Sequence, residues 1–179
     1  REILAALSTS RKQARERGDT FTEAERVGAL PTWAPESFAT FDLTDAYRAP
    51  GGTQRLKPIQ SAALHWAAKV GGLLGPIGVG HGKGLLDLLL PIAMKAQRPV
   101  VFIPPGMREP FAREIRKFRQ HWRMHPGLRV IPYSQLSVAS GADLLIKLQP
   151  DLIIADEAHN LRHPTATRTK RVLRYFSQF

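Results

Sequence analysis

The sequence contains no cysteine, and it holds few acidic residues for its length. The 179 residues include 26 lysines and arginines but 15 aspartates and glutamates, which gives a net charge of +11. Without cysteine, a disulfide framework and a thiolate metal site are both excluded. A cationic excess of this size favours a polyanionic partner, most often nucleic acid, and a basic surface without a partner is the open alternative.

Long hydrophobic runs are also missing from the sequence. No apolar stretch reaches the roughly 20 residues that a membrane-spanning helix needs, and the N-terminus lacks the pattern of a signal peptide. Hydrophobic residues make up 43% of the chain, which is an ordinary share for a globular protein. We therefore expect an intracellular protein with one main domain and no membrane association.

The glycine-rich stretch 73–86, LLGPIGVGHGKGLL, is the part of the sequence with the clearest chemistry. It predicts a buried strand that turns sharply into a helix, with Lys83 at the turn. Glycines let backbone N–H groups approach an anion closely, and the helix start adds a partial positive charge. The strict phosphate-loop pattern is not met, because Ile77 replaces its first glycine and Gly84 replaces its hydroxyl residue. A glycine-rich turn with a solvated lysine is the alternative.

A second stretch, 150–160, reads PDLIIADEAHN and agrees with the first. It predicts a short apolar strand that ends in two adjacent carboxylates, at the edge where open α/β sheets bind ligands. In such a site Asp156 would hold a magnesium ion, and Glu157 would position and deprotonate the attacking water. A solvated Asp-Glu turn is the alternative, and the order of the two stretches argues against it.

Strand-like and helix-like segments alternate through the rest of the chain. Continuous apolar residues predict a buried strand at 98–105, and apolar residues at helical spacing predict helices at 55–70 and 108–122. Further strands are expected at 128–133 and 151–155. This alternation is typical of a three-layer α/β fold, in which a mostly parallel sheet lies between two layers of helices.

Prolines and glycines indicate the expected boundaries between segments. Residues 1–52 are expected to form a helical and irregular N-terminal extension, and residues 53–179 are expected to form the main domain. Pro91 is expected to kink or end the helix that follows the glycine-rich stretch, because proline lacks the N–H that an inner helical turn needs.

The apolar residues Val172, Leu173, Phe176 and Phe179 predict a further helix near the C-terminus, and this helix and the predicted helix 108–122 both carry clusters of basic side chains. The candidate nucleic-acid-binding residues on them are Arg113, Arg116, Arg168, Lys170 and Arg171. A basic helix face is most often simply solvated, and contact with a nucleic-acid backbone is the sharper hypothesis.

Together these stretches resemble the first RecA-like lobe of superfamily two helicases and translocases, most closely the Swi/Snf-type branch. Residues 56–60 (LKPIQ) look like the adenine-recognition motif, residues 80–84 (GHGKG) like motif I, and residues 156–159 (DEAH) like the DEAH box. The resemblance extends from about residue 53 onward, and it implies a RecA-like P-loop domain.

The resemblance implies a lobe that binds ATP and magnesium and couples hydrolysis to movement along DNA, which in this branch is double-stranded. It implies that Gln60 binds adenine, that Lys83 acts on phosphate, and that His159 couples the site to DNA or to a second lobe. The implied phosphate-binding residues are Gly80, His81, Gly82, Lys83 and Gly84. Since an arginine finger from the second lobe supplies much of the catalysis, this part of the chain alone is expected to hydrolyse ATP poorly.

A second function class is open as well. Gly84 has no hydroxyl to offer a magnesium ion, and the chain is strongly cationic. Both features favour a non-catalytic module that binds nucleic acid or a protein partner on a degenerate P-loop scaffold.

Overall fold

The structure, a computed structural model, describes residues 42–75, 77 and 80–178. Most of the expected N-terminal extension therefore lies outside the described residues. Its last part begins with a short helix, α1 (Thr44–Tyr47). Leu43 and Tyr47 pack against the hydrophobic core, and the Leu56 N–H donates to Oγ1 of Thr44 at 3.1 Å. Residues 42–52 are thus joined to the domain that follows them.

Helices and strands alternate along the described chain. Within the described residues no helix is long and apolar enough to cross a membrane. The elements after α1 are α2 (Pro58–Val70), α3 (Lys83–Ala93), β1 (Pro99–Ile103), α4 (Arg108–Phe118), β2 (Arg129–Pro132), α5 (Leu144–Leu148), β3 (Leu152–Ala155) and α6 (Thr167–Phe176). Short 3₁₀ turns span Tyr133–Leu136, Ala139–Gly141 and Ala158–Leu161.

The described strands form one parallel sheet of three strands in the order β2-β1-β3. At its centre, Val101 lies opposite Val130 of β2 and Ile154 of β3. All five residues of β1 are buried, as the continuous apolar run predicts for a strand that is covered on both faces. The predicted α/β class with a parallel sheet is confirmed.

Each face of the sheet is covered by helices, because alternate residues of β1 point to opposite faces. Val101 and Ile103 pack against α2, α3 and α4 on one face. Val100 and Phe102 pack on the other face against α5, α6 and the turn after β2. The helices and the sheet therefore form three layers.

The predicted strand at the start of the glycine-rich stretch is wrong. The described residues 72–75 form no strand, and Leu73 and Leu74 are 43% and 87% exposed. Gly71 ends α2 in a left-handed conformation at φ +78°, and glycines on both sides of the leucine pair lower its strand propensity. In the described part of the chain, the outer edge of β3 consequently pairs with no other strand.

Of the two outcomes expected at Pro91, a kink or an end to the helix, the helix does not end there. Helix α3 continues for two residues beyond Pro91, to Ala93. Proline removes the one bond that its own N–H would have donated to the Asp87 carbonyl. The Met94 N–H still donates to the Leu90 carbonyl at 2.9 Å, so the last turn keeps its hydrogen bond.

Candidate functional site

The glycine-rich stretch and the carboxylate stretch meet at the carboxyl end of β3. Nζ of Lys83, the first residue of α3, lies 3.3 Å from Oε1 of Glu157. Both side chains line a cavity of about 630 Å³ that also contains Asp87 and Asp156. The structure therefore gathers into one cavity the lysine and the two carboxylates that the sequence placed in separate motifs.

Two glycines set the path of the loop that enters α3. Gly80 has φ +83° and Gly82 has φ +76°, which are left-handed conformations that glycine adopts without strain. Gly82 is the N-cap of α3, so Lys83 begins the helix at its partially positive end. Residues 76, 78 and 79 lie outside the described residues, so the loop is seen at Gly75, Ile77 and Gly80–Gly84.

Gln60 ties this loop to the start of α2. Its side chain is buried, and Oε1 accepts a hydrogen bond from the Lys57 N–H at 2.8 Å. Its Nε2 donates to the carbonyls of His81 at 3.2 Å and Gly82 at 3.1 Å. Nζ of Lys57 also donates to the Gly80 carbonyl at 2.7 Å. The amide that was expected to bind adenine is thus engaged within the chain, and the adenine role stays a prediction.

Asp156 is held at both of its backbone groups, by β1 and by the residue that follows β2. Its N–H donates to the Phe102 carbonyl at 3.0 Å, and its carbonyl accepts a hydrogen bond from the Tyr133 hydroxyl at 2.9 Å. Burial raises the pKa of the Asp156 carboxyl, and the charge of Glu157 raises it further, whereas Lys83 lowers it. The backbone of Asp156 is therefore fixed, and its carboxyl lies in a half-buried, acidic environment.

Glu157 lies between two potential cations. Its backbone is left-handed at φ +52°, a conformation that costs a non-glycine residue about 1–3 kcal/mol. Oε1 faces Lys83, and Oε2 lies 3.3 Å from Nδ1 of His159. The His159 ring is 61% exposed and lines the same cavity. The strained turn thus directs the Glu157 carboxylate toward the loop and places His159 beside it.

Asp87 is a carboxylate of the cavity that the sequence prediction overlooked. It is 8% exposed, and within the described residues its Oδ2 atom has no hydrogen-bond partner. Burial raises the pKa of Asp87 to about 8, and the charge of Asp156 adds to this increase, while Lys83 opposes it. The sequence signal is a single carboxylate in the otherwise apolar run 85–90.

Gly84 faces a carboxylate from a neighbouring helix. A Cβ atom built at Gly84 would lie 2.8 Å from Oε2 of Glu114, an exposed residue of α4. The side of α3 where the phosphate-loop pattern has a hydroxyl is therefore occupied by an acidic side chain. The sequence gives no signal for this contact, because it depends on how α3 packs against α4.

The oxygen atoms around the cavity are of the type that magnesium binds. Among the described residues, no group of three or more His, Asp or Glu side chains is arranged to hold a metal ion by itself. Mg²⁺ usually binds proteins through one or two carboxylates and takes its other ligands from phosphate and water. The unpartnered oxygen of Asp87 beside Asp156 fits that pattern, and a bound nucleotide would supply the remaining ligands.

The predicted nucleic-acid-binding residues do not share one surface. Arg113 and Arg116 are exposed on α4, and Lys170 is exposed on α6. These two helices pack on opposite faces of the sheet. A single nucleic-acid backbone that follows one face of the domain would therefore meet one of these helices and not both.

Arg171 and Arg168 have surroundings that differ from those of a solvated basic face. Nη1 of Arg171 donates to the carbonyls of Leu136 at 3.0 Å and Val138 at 2.6 Å, so this guanidinium holds the turn after β2. Arg168 is half-buried, and its Nε atom is without a partner among the described residues. The exposed arginines of α4 are thus the better candidates for phosphate contact.

The chain matches no protein-family model, and no curated protein is significantly similar to it. The function therefore has to be argued from the residues and geometry of the site.

Replacing Gln60 with glutamate should loosen the loop. A carboxylate at this position keeps the acceptor for the Lys57 N–H but turns the donor that faces two carbonyls into a second acceptor. We expect Gln60→Glu to lower the free energy of unfolding by about 1–3 kcal/mol, measured by urea denaturation. Gln120→Glu makes the same change on an exposed residue and should have little effect. Equal losses in the two variants would contradict the role given to Gln60.

The buried carboxyl of Asp87 should make stability depend on pH. Its pKa of about 8 lies above its ordinary value of 3.8, so the folded state binds the proton more tightly than the unfolded chain does. The stabilisation is fully present below about pH 4 and is lost as the pH rises toward 8, by up to about 1.4 kcal/mol per pH unit. Asp87→Asn has no such proton, so its stability relative to the wild type should increase across this range.

Thermal unfolding at pH 5, 6.5 and 8 measures this effect. Asp143→Asn is the matched control, because Asp143 is exposed and the change should give a difference in Tm that is independent of pH. A constant difference in Tm between wild type and Asp87→Asn would show that Asp87 does not titrate as described.

Proposed function

We propose that this domain is the ATP-binding lobe of an ATP-dependent DNA helicase or translocase. The observation that carries the proposal is the Lys83–Glu157 ion pair, which joins a glycine-rich helix start to a carboxylate pair at the carboxyl end of a parallel strand. Ligands of open α/β sheets bind at this edge, and a helix N-terminus with a lysine is suited to phosphate. DNA as the partner and movement along it are inferred from the sequence resemblance, and both are part of the proposal.

In the proposed site, phosphate competes with Glu157 for the Lys83 ammonium. A lysine–phosphate bond is charge-assisted on both sides, so the ammonium would turn from the carboxylate toward the outer phosphates. This leaves the Glu157 carboxylate beside His159 and free to accept a proton from a water molecule. A magnesium ion, when bound, neutralises charge on the phosphates, and Asp156 is the residue expected to hold it. ATP binding would thereby release the residue that activates water.

Removing the Lys83 ammonium should weaken ATP binding. A bond to a charged group contributes about 1.5–3 kcal/mol, which corresponds to a loss of roughly tenfold to a hundredfold in affinity for Lys83→Ala. Titration calorimetry with Mg²⁺ and ATP measures it. Lys147→Ala, which removes an exposed lysine of α5, should bind as the wild type does.

ATP turnover is a second test of the same proposal. In the longest natural form of the protein, with DNA present, Glu157→Gln should still bind ATP but release no phosphate. Equal ATP affinities for wild type and Lys83→Ala, or no ATP binding by the wild type, would refute the proposed site.

A nucleic-acid-binding module without catalysis is the second candidate, favoured by Gly84 and by the exposed arginines of α4. Arg113→Gln with Arg116→Gln should weaken binding to double-stranded DNA and reduce the slope of log affinity against log salt by about two, because two phosphate contacts are lost. Arg129→Gln, at an exposed position outside α4, is the control. DNA binding of this kind without any ATP turnover in the full protein would favour the module over the motor.

A further inference from the structure

The site lacks an oxygen where its loop pattern calls for one, and a carboxylate lies close to that place. Gly84 has no side chain, and the position that its Cβ would take lies 2.8 Å from Oε2 of Glu114. Glu114 is exposed at the surface of α4. The surroundings of Gly84 are therefore acidic even though residue 84 itself has nothing to offer a cation.

Asp87 follows one helical turn after Lys83 and Gly84. Residues three and four apart lie on the same face of a helix, so Asp87 shares a face with both. It is 8% exposed, it lines the cavity together with Lys83 and Asp156, and Oδ2 has no partner in the part of the chain that the structure describes. Buried carboxylates are normally paired, because an unpaired one has lost its water without compensation. A carboxyl group in this condition whose side chain lines a cavity is a candidate for a ligand contact.

A divalent cation is the ligand that these surroundings fit best. Asp156 and Glu157 line the same cavity as Asp87, and Oε2 of Glu114 lies beside Gly84, one helical turn before Asp87. Lys83 is the cation of this group, and its ammonium is paired with Glu157. The carboxylates of Glu114, Asp156 and Glu157 outnumber the one ammonium and attract further positive charge.

We propose that Asp87 binds the divalent cation that accompanies the nucleotide and supplies the protein oxygen that Gly84 lacks. The inference rests on the proposed function for the nucleotide, while the assignment of Asp87 rests on its own burial and position. Mg²⁺ usually takes one or two carboxylates and fills its other positions with phosphate and water, so Asp87 and Asp156 would be sufficient. This also fits the finding that no larger group of ligands is assembled among the described residues.

The test compares the affinity for ATP without a metal ion with the affinity for ATP in the presence of one. Calorimetry gives the affinity for ATP in EDTA and in saturating Mn²⁺, for wild type, Asp87→Asn and Asp143→Asn. In the wild type Mn²⁺ should tighten ATP binding. In Asp87→Asn the ratio of the ATP affinity in Mn²⁺ to the ATP affinity in EDTA should be at least tenfold smaller than in the wild type. The affinity in EDTA should stay within twofold of the wild-type value. Asp143→Asn, which changes an exposed aspartate of the same charge and size, should behave as the wild type does.

A measurement on the unmodified protein guards against a folding defect in the variant. Mn²⁺ bound with ATP should broaden the backbone amide resonances of residues 86–88 in the NMR spectrum of the wild type, because a paramagnetic ion at Asp87 lies next to them. Broadening at Asp156 without broadening at residues 86–88 would overturn the assignment.

Other outcomes are equally decisive. Full tightening by Mn²⁺ in Asp87→Asn would overturn the proposal, and so would an equal loss of affinity with and without metal, which would make Asp87 a positioning residue for Lys83. If the wild type binds no ATP in either condition, the proposed function is wrong, and Asp87 is judged by Mn²⁺ alone with electron paramagnetic resonance. Mn²⁺ binding that Asp87→Asn weakens would then support a cation site at Asp87, and absence of Mn²⁺ binding would overturn it.

Discussion

The pairing of β1 with a strand on each side is the constraint on which the rest of the structure depends. The Phe102 carbonyl of β1 accepts the Asp156 N–H, and Tyr133, which follows β2, donates to the Asp156 carbonyl. The backbone of Asp156 is therefore fixed by β1 and by the residue that follows β2. The turn that begins there places Glu157 within 3.3 Å of Lys83. The position of the candidate site is thus a direct consequence of the register of three short strands.

The charge of the candidate site is opposite in sign to the net charge of the chain. The protein carries a net charge of +11, yet Asp156 and Glu157 line the same cavity as Lys83, and Glu114 lies beside Gly84. A bare triphosphate that approached this cavity would meet like charge, whereas a triphosphate with a divalent cation carries less negative charge and brings positive charge to the carboxylates. The cationic excess elsewhere acts over a longer range and is suited to a polyanion, so in the proposed function the surface would attract DNA and the cavity would attract metal-bound nucleotide.

The sequence predicted the parts of the fold that depend on local patterns. A continuous apolar run identified β1, and helical spacing identified α2 and α4, although α4 ends at Phe118 and the sequence suggested a longer helix. The two motifs of the site were also found, because glycine-rich helix starts and carboxylates after a strand have local signatures. Leu73 and Leu74 were expected to form a strand because they are apolar. The low strand propensity of the surrounding glycines has a larger effect than the two leucines.

What the sequence could not predict depends on contacts between distant segments. Whether the Gln60 amide faces a ligand or the carbonyls of His81 and Gly82 depends on how α2 packs against the loop. Asp87 was hidden in an apolar run, because periodicity shows which face of a helix is buried but not that a cavity opens onto it. In both cases the sequence shows the residue but not the groups that surround it in the fold.

Gly84 shows why a departure from a motif has to be judged together with its neighbours. Read alone, the glycine removes a magnesium ligand and suggests a degenerate site. In the structure its missing side chain leaves room for Oε2 of Glu114, and Asp87 lies one turn further along the same helix. A threonine at position 84 would displace the flexible end of Glu114 as well as adding a hydroxyl, so its effect would combine two opposing changes. Substitutions at residues in contact are not additive, so the effects of changes at residues 84, 87 and 114 have to be measured in combination.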